Sequence, residues 1–488
     1  MLSDNTNGGQ FENSLENALE DLQPPENVVK SVTPWNRAMN RILLGLALCS
    51  VTLNFLCLNY ILPAVGMLLL LLGFRALRRE NSLFRACWII SIVRSTAVFA
   101  VLIIDSTIWQ SQINSLPVTN ISAYIGAGLL IAMIICFGCA LTAVRKKAGF
   151  ETNRKGPAAL IVWYVVTCVL AVIKYQGIAA AILLTVAYIF IIINLVRLSA
   201  ELDEAGYSIR AAPIKLSDRT LTIVLTAAAL AGIACGYIFF SRYPMAWQPQ
   251  ENSADTHIQS ARDELAEAGF PMSALDDLTD EDLLSCRGAK RILVEESDYP
   301  QADDGTASST SEIHFICVGV ELPDEEGVWK IFHFFRWNTS PAYRGTETLQ
   351  LWPSYLRNQG QCALEEPSGR VLCSDNGGAL CSDFYSIEKK TYGQTDLFGA
   401  ETRTDTFAVF SFPRGAEDCR GYMTYAVQVI SWKSGGLYTW LNYMYQTSPL
   451  QYPVQTAMDS RISGTRAIII DLDPFELAQS GVQFPVSG

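Results

Sequence analysis

Residues 121–144 read ISAYIGAGLLIAMIICFGCALTAV, and Arg145-Lys146-Lys147 follows directly. A hydrocarbon core about 30 Å thick needs roughly 17–25 apolar residues per helix, so this stretch has the length and character of a membrane span. Positively charged loops resist translocation, so its basic end belongs to the cytoplasmic side. The stretch before it, Asp105 to Asn120, carries no Lys or Arg and belongs to the opposite side.

Similar apolar runs fall on either side of this one, at Arg41–Cys57, Tyr60–Leu77, Ala86–Ile104, Ala158–Ile173, Gly177–Val196 and Thr220–Phe240. With residues 121–144 they make about seven candidate transmembrane helices. The first two are separated only by Leu58 and Asn59; the combined run is too long for one crossing, so a tight hairpin is expected. The fifth and sixth form a second hairpin around Lys174, Tyr175 and Gln176. The basic clusters (Arg37 and Arg41; Arg75, Arg78, Arg79 and Arg85; Arg145 to Lys155; Arg197 to Arg219) fall on alternate loops. Seven spans with a cytoplasmic N-terminus therefore send everything after Phe240 outside the cell.

The remaining composition agrees with two unlike bodies in one chain. Of 488 residues, 50% are hydrophobic and only 17% charged, and the net charge is −12. Residues 1–241 hold 18 Lys+Arg against 13 Asp+Glu (+5), whereas residues 242–488 hold 18 against 35 (−17). An acidic water-facing half has no basic patch to neutralise phosphates, which argues against nucleic acid as a partner. The expected organisation is a disordered acidic cytoplasmic tail at 1–36, a seven-span domain at 37–241, a linker at 242–255 and an extracytoplasmic, mainly β domain at 256–488. No cleavable signal peptide is expected, and so short a tail leaves no room for a folded output domain. This arrangement is similar to that of multi-pass membrane proteins of Gram-positive bacteria, which implies a plasma-membrane location; no functional residue is carried over from the likeness.

Charge inside a span is costly and by default suggests function. Arg94, near the middle of the third span, is the candidate intramembrane polar site. It has two readings, a counter-charge for an anionic ligand or lipid head group, and an arginine satisfied by backbone carbonyls of a neighbouring helix. Asn54 and Asn194 are expected to bridge helices. Cys136 and Cys139 share one helical face and read as small packing residues.

After the linker, the spacing of Ile258, Ala261, Leu265 and Ala268 predicts a helix ending at Gly269, and Thr279 with Asp282 three residues on predicts a capped helix start. These are two short leading helices. The acids at 276, 277, 280, 281 and 282 have a spacing that fits no EF-hand loop, and carboxylates in a first helical turn are explained by the helix dipole.

Ten β segments follow (Arg291–Glu295, Ile313–Leu322, Val328–Trp337, Thr348–Trp352, Arg370–Cys373, Leu380–Ile387, Thr406–Phe412, Tyr422–Trp432, Leu437–Tyr445, Ala467–Leu472) and predict a sandwich or jelly-roll-like domain. Ser297 to Ser311 is expected to be a mobile loop. In the hairpin through Pro323 to Gly327, pairing Leu322 with Val328 sets His314 opposite Arg336 and His333 opposite Cys317. The two histidines then face opposite sides of the sheet. With His257 as the third histidine of the chain, a His-rich metal or catalytic centre is not expected, and no cofactor is predicted.

The sequence has no GxSxG, HExxH or glycine-rich phosphate loop. The late aromatics Trp432, Tyr438, Trp440, Tyr443 and Tyr445 read as core more than as binding surface. Six cysteines lie beyond residue 241, an even number suited to an oxidising compartment. Cys373 and Cys381, flanking an Asn-Gly-Gly turn, are the candidate disulfide. The sequons at Asn120 and Asn338 matter only in a glycosylating host. Together these features point to a non-enzymatic membrane protein whose outer domain binds an extracytoplasmic ligand or protein partner. The alternatives are a small-molecule or lipid transporter using the membrane bundle, and an ectodomain hydrolase without a recognisable motif.

Overall fold

The structure, a computed structural model, describes residues 34–485 except 51–56, 151–154, 174, 176, 208, 210–215, 251–254, 301–311, 324–325, 340, 342, 352–360, 376, 397–398, 430–435, 450 and 464–473. Two compact units divide it: residues to Ile104 with Gln112–Ala234, and Asp105–Ser111 with Cys235 onward.

The first unit is helical: α1 (Pro34–Ser50), α2 (Leu58–Leu77), α3 (Ser82–Ile104), α4 (Gln110–Ser115, which begins in the second unit), α5 (Pro117–Lys147), α6 (Lys155–Val172), α7 (Ile178–Glu204) and α8 (Asp218–Phe240, which ends in the second unit). Six of these, α2, α3, Ile121–Lys147 of α5, α6, α7 and α8, are long and apolar enough to cross a membrane. The expected first span from Arg41 begins earlier, at Pro34, in a helix of 17 residues, and its expected end from 51 on lies outside the described residues.

The first hairpin is built on glycine. A Cβ on Gly66 would lie 2.8 Å from the Gly45 carbonyl oxygen, one on Gly45 would lie 2.8 Å from that of Gly66, and one on Gly73 would lie 2.9 Å from that of Ala38. Small residues let two backbones approach this closely where lipid supplies no hydrophobic drive between helices. Asn194 of α7 lies against Gly156 of α6 in the same way, its Oδ1 2.8 Å from where a Cβ would stand; Asn54 lies outside the described residues.

Ion pairs collect at one end of the bundle. Asp218 at the start of α8 accepts from Arg41 (2.6 Å) and Arg75 (3.3 Å), Arg145 reaches Glu201 (2.7 Å), and Lys147 reaches Glu80 (2.7 Å). Asn36 at the start of α1 donates to Asp203 at the end of α7. These contacts bring together the first turns of α1 and α8 and the last turns of α2, α5 and α7, so successive long helices alternate in direction.

The second unit carries β1 (Gln248–Pro249), helices α9 (Thr256–Glu267), α10 (Met272–Leu275) and α11 (Asp280–Ser285), then β2 (Arg291–Tyr299), β3 (Ile313–Glu321), β4 (Val328–Trp337), β5 (Glu347–Leu351), β6 (Gln361–Ala363), β7 (Ser368–Asp375), β8 (Gly378–Asp383), β9 (Ser386–Asp396), β10 (Gly399–Phe410), β11 (Glu417–Val429), β12 (Gly436–Gln446), α12 (Ala457–Ser463) and β13 (Phe475–Pro485). Two antiparallel sheets form among the described residues. One runs β1-β8-β7-β11-β4-β3-β2 with β6 added on β11, the other β13-β12-β5-β10-β9.

The sheets face each other across one core that includes Phe315, Trp329, Phe335, Leu349, Phe410, Leu441 and Tyr443. Each large apolar side chain buried there contributes about 1.5–3 kcal/mol. Helices α9 to α11 cover the outer face of the larger sheet over Val318, Phe332 and Phe334, and α12 covers Phe407 and Val409 on the smaller. Covering on both faces explains why β4, VWKIFHFFRW, is buried along its whole length, Lys330 and His333 included, with Arg336 its exposed exception.

The β3–β4 register is the expected one: Leu322 N–H donates to the Val328 carbonyl, His314 pairs with Arg336 and Cys317 with His333. Three leading helices form instead of two, because Pro271 starts the extra turn α10. Leu380–Ile387 divides into β8 and the start of β9. The expected linker 242–255 contributes β1, which pairs with Leu380 and Cys381. Ala467–Leu472 and most of the 297–311 loop lie outside the described residues, while β2 runs on to Tyr299.

Candidate functional site

In the second unit, a cleft of about 370 Å³ opens where the chain leaves the edge of the larger sheet. Gln248 and Pro249 pair with β8, and residues 244–246, just before them, line the cleft outside that ladder. The gap is lined by Met245, Ala246, Cys381, Asp383, Tyr385 and Arg370, with Thr279 also on its wall. The local sequence Cys381-Ser-Asp-Phe-Tyr385 alternates a buried Ser382 and Phe384 with an exposed Asp383 and Tyr385, as a strand edge does. Tyr385 is fixed by stacking on Tyr243, ring centroids 5.0 Å apart, and by its N–H donating to the Val409 carbonyl.

A polar network holds the rear wall. Arg370 of β7 donates from Nε to the Asp277 carbonyl (2.9 Å) and from Nη2 to that of Leu278 (2.7 Å). Arg420 Nε donates to Asp277 Oδ1 at 2.8 Å. Burial raises the Asp277 carboxyl above its ordinary range, and Arg420 opposes that rise. Thr279 caps α11 by accepting from the Asp282 N–H, as its spacing predicts, and its own N–H donates to the Tyr422 hydroxyl. Asp282 Oδ2 accepts from Thr279 (2.8 Å) and Tyr422 (2.5 Å), and Oδ1 from Lys330 (2.8 Å). Within the acidic run at 276–282, Asp276 pairs with Arg262, Asp277 with Arg420 and Asp282 with Lys330.

Arg94 of α3 donates from Nη1 to the Gly126 carbonyl of α5 at 2.7 Å. A neighbouring backbone carbonyl is the partner that one of its two readings requires. Near it in the same unit, Ser50 shares hydrogen bonds with the hydroxyls of Tyr164 (3.0 Å) and Tyr188 (3.1 Å).

The candidate pair Cys373 and Cys381 is not brought together. Cys373 pairs with Leu380 and Cys381 with Leu372, so the two are one position out of register and their side chains leave opposite faces of the sheet. Cys373 is buried in the core, whereas Cys381 lines the cleft.

The three histidines stand apart. His257 follows the N-cap Asp255, His314 bonds Asp298 at 2.9 Å on the outer face, and His333 lies in the core sharing a 2.5 Å hydrogen bond with Thr439. Burial lowers the His333 imidazole to about 3. Tyr443 and Tyr445 are core residues, with Trp337 Nε1 donating to the Tyr443 hydroxyl; Trp432 lies outside the described residues.

Sequence reasoning singled out Cys381 for another reason and missed Arg370, Asp383 and Tyr385. The available signal was the polar break CSDFY in an otherwise apolar β pattern. Nothing local predicted that residues 244–248 would face it.

No protein-family model matches the chain, and no curated protein matches it. Among solved structures, the chain is similar to the collagen-binding domain from a Staphylococcus aureus adhesin (11% identity, covering 36% of this chain and 99% of that one, TM-score 0.19). It is also similar to AvmM, which catalyzes macrocyclization in alchivemycin A biosynthesis (11% identity, 34% and 83% covered, TM-score 0.17). At these scores neither likeness bears on the function of this chain.

Proposed function

We propose that this is a seven-span plasma-membrane protein whose β domain stands outside the cell and binds a small polar ligand in the cleft between residues 244–248 and β8. The cleft carries the reading. Its volume, about 370 Å³, falls in the lower part of the range of small-molecule sites, and its wall combines a guanidinium, a carboxylate, a phenol and apolar surface from Met245.

A binding role is favoured over catalysis by the lining itself. Among the described residues it includes one carboxylate, Asp383, and no histidine. Two-carboxylate hydrolysis needs a second acid, and an activated thiol at Cys381 needs an adjacent base. With α1 taken as the seventh span, the orientation is supported by the alternating helices and by the gathering of Arg41, Arg75, Arg145 and Lys147 at one end of the bundle.

Cys381 provides the test. With the full chain in detergent, alkylation of Cys381 is followed in the presence of a panel of amino acids, dipeptides and mono- and disaccharides. At least one class slows the reaction more than about fivefold, and Ala246→Trp, which fills the cleft from an exposed position, abolishes that protection. Protection by none of them, or turnover of any, replaces this reading.

A further inference from the structure

We propose that Cys373 of β7 and Cys419 of β11 form a disulfide across the bulge in the larger sheet. The β7–β11 register steps from Glu417 opposite Ser374 to Arg420 opposite Leu372, which leaves two residues, Asp418 and Cys419, facing the single residue Cys373. Asp418 takes a left-handed backbone (φ 46°), and its carboxylate turns to Arg336 (2.7 Å) and Arg420 (2.5 Å). That leaves Cys419 to face inward. Gly421 pairs with Val371 on the core side, and Cys373 and Cys419 follow them on the same face. Both cysteines are fully buried in the inter-sheet core.

In regular antiparallel pairing, opposed side chains on one face have Cβ atoms about 4.5–5.5 Å apart, and a disulfide needs about 3.5–4.5 Å, so the two strands draw closer at the bulge when the bond forms. The other cysteines of this unit are placed elsewhere, Cys235 among them on α8. Cys317 faces His333, Cys286 lies under the leading helices, Cys362 is on β6, and Cys381 leaves the opposite face from Cys373. The Arg344 guanidinium donates to the Cys419 sulfur, the contact that oxidation would replace.

The bond forms by thiol–disulfide exchange with an external disulfide. One protein thiolate attacks the oxidant, the second attacks the mixed disulfide, the oxidant's S–S bond breaks, and its two sulfurs leave as thiols carrying the two protons and two electrons given up by the cysteines. Burial pushes the thiols up to about 11 for Cys373 and about 12 for Cys419, so exchange belongs to the folding stage, before the sheets close over them. Formation in the cell rests on the outside location proposed above, whereas the pairing rests on the register alone.

Trypsin separates the partners, because Val371–Lys389 holds Cys373 and Cys381 while Gly415–Arg420 holds Cys419. Full chain, with free thiols blocked at lysis, is purified and digested without reductant. The expected product is these two peptides joined, retained in Cys381→Ser and lost in Cys373→Ser. If Cys419 is found free at lysis, but joins Cys373 when a second sample, purified under reductant without blocking, is refolded in oxidised and reduced glutathione, the pairing stands and the outside location fails. If Cys419 stays free under both conditions, or remains joined in Cys373→Ser, the pairing is wrong.

Discussion

Lys330 Nζ lies 2.8 Å from Asp282 Oδ1, with the two side chains 10% and 8% exposed, and this pair joins the interior strand β4 to the first turn of α11. Removing one partner of a buried pair leaves an uncompensated charge, which costs about 3–5 kcal/mol, whereas replacing both by apolar groups costs much less. Asp282 also accepts from Tyr422 and Thr279, so the site ties the leading helices to the sheet. Asp282→Ala is therefore expected to lower the stability of the β domain by about 3–5 kcal/mol, and Asp282→Leu with Lys330→Met by clearly less. Guanidinium unfolding of the detergent-solubilised chain, followed by tryptophan emission, measures both; equal losses would show that the pair is not coupled.

His333 makes the β domain sensitive to mild acid. Its folded value near 3 lies below the unfolded value of about 6.5. The unfolded chain thus takes up a proton that the folded one refuses. The stabilisation is fully present above about pH 6.5 and is lost as pH falls toward 3, with about 2 kcal/mol gone by pH 5. Unfolding midpoints at pH 7 and pH 5 should differ accordingly in the wild type. Most of that difference should vanish in His333→Gln, and an unchanged slope in the variant would remove His333 as its source.

Cys362, half-buried on β6, reports the side of the membrane. With the β domain outside, a membrane-impermeant maleimide applied to intact cells after reduction labels the tryptic peptide Asn358–Arg370. Labelling only after the cells are opened would reverse the proposed orientation.

The α1–α2 hairpin should fail on a single side chain. A Cβ on Gly66 would stand 2.6 Å from Cys49 Sγ and 2.8 Å from the Gly45 carbonyl. Gly66→Leu is expected to cost about 1–3 kcal/mol in detergent unfolding, more than Gly66→Ala, because it overpacks backbone that cannot yield. Tolerance of leucine would mean the two helices pack differently.

Arg94 separates a structural from a ligand role. Losing its bond to Gly126 should cost on the order of 1 kcal/mol of bundle stability in Arg94→Ala, with Arg94→Lys intermediate. Unchanged stability combined with loss of solute uptake into proteoliposomes would instead favour the transport reading.

Long apolar runs, basic flanks and the β3–β4 hairpin were legible in the sequence because each rests on local physics. A span must satisfy its own backbone in lipid, a positive loop resists translocation, and a strand alternates with period two. The Thr279 cap, three residues from its partner, was legible for the same reason. What the chain does across long separations was not. Cys373 and Cys381 are near in sequence, yet the period of two sends them to opposite faces, while a bulge forty-odd residues away turns Cys419 toward Cys373. The cleft likewise needs residues 244–248, read from sequence as a linker, to meet β8. No local pattern encodes that meeting; only the addition of β1 to the β8 edge of the larger sheet decides it.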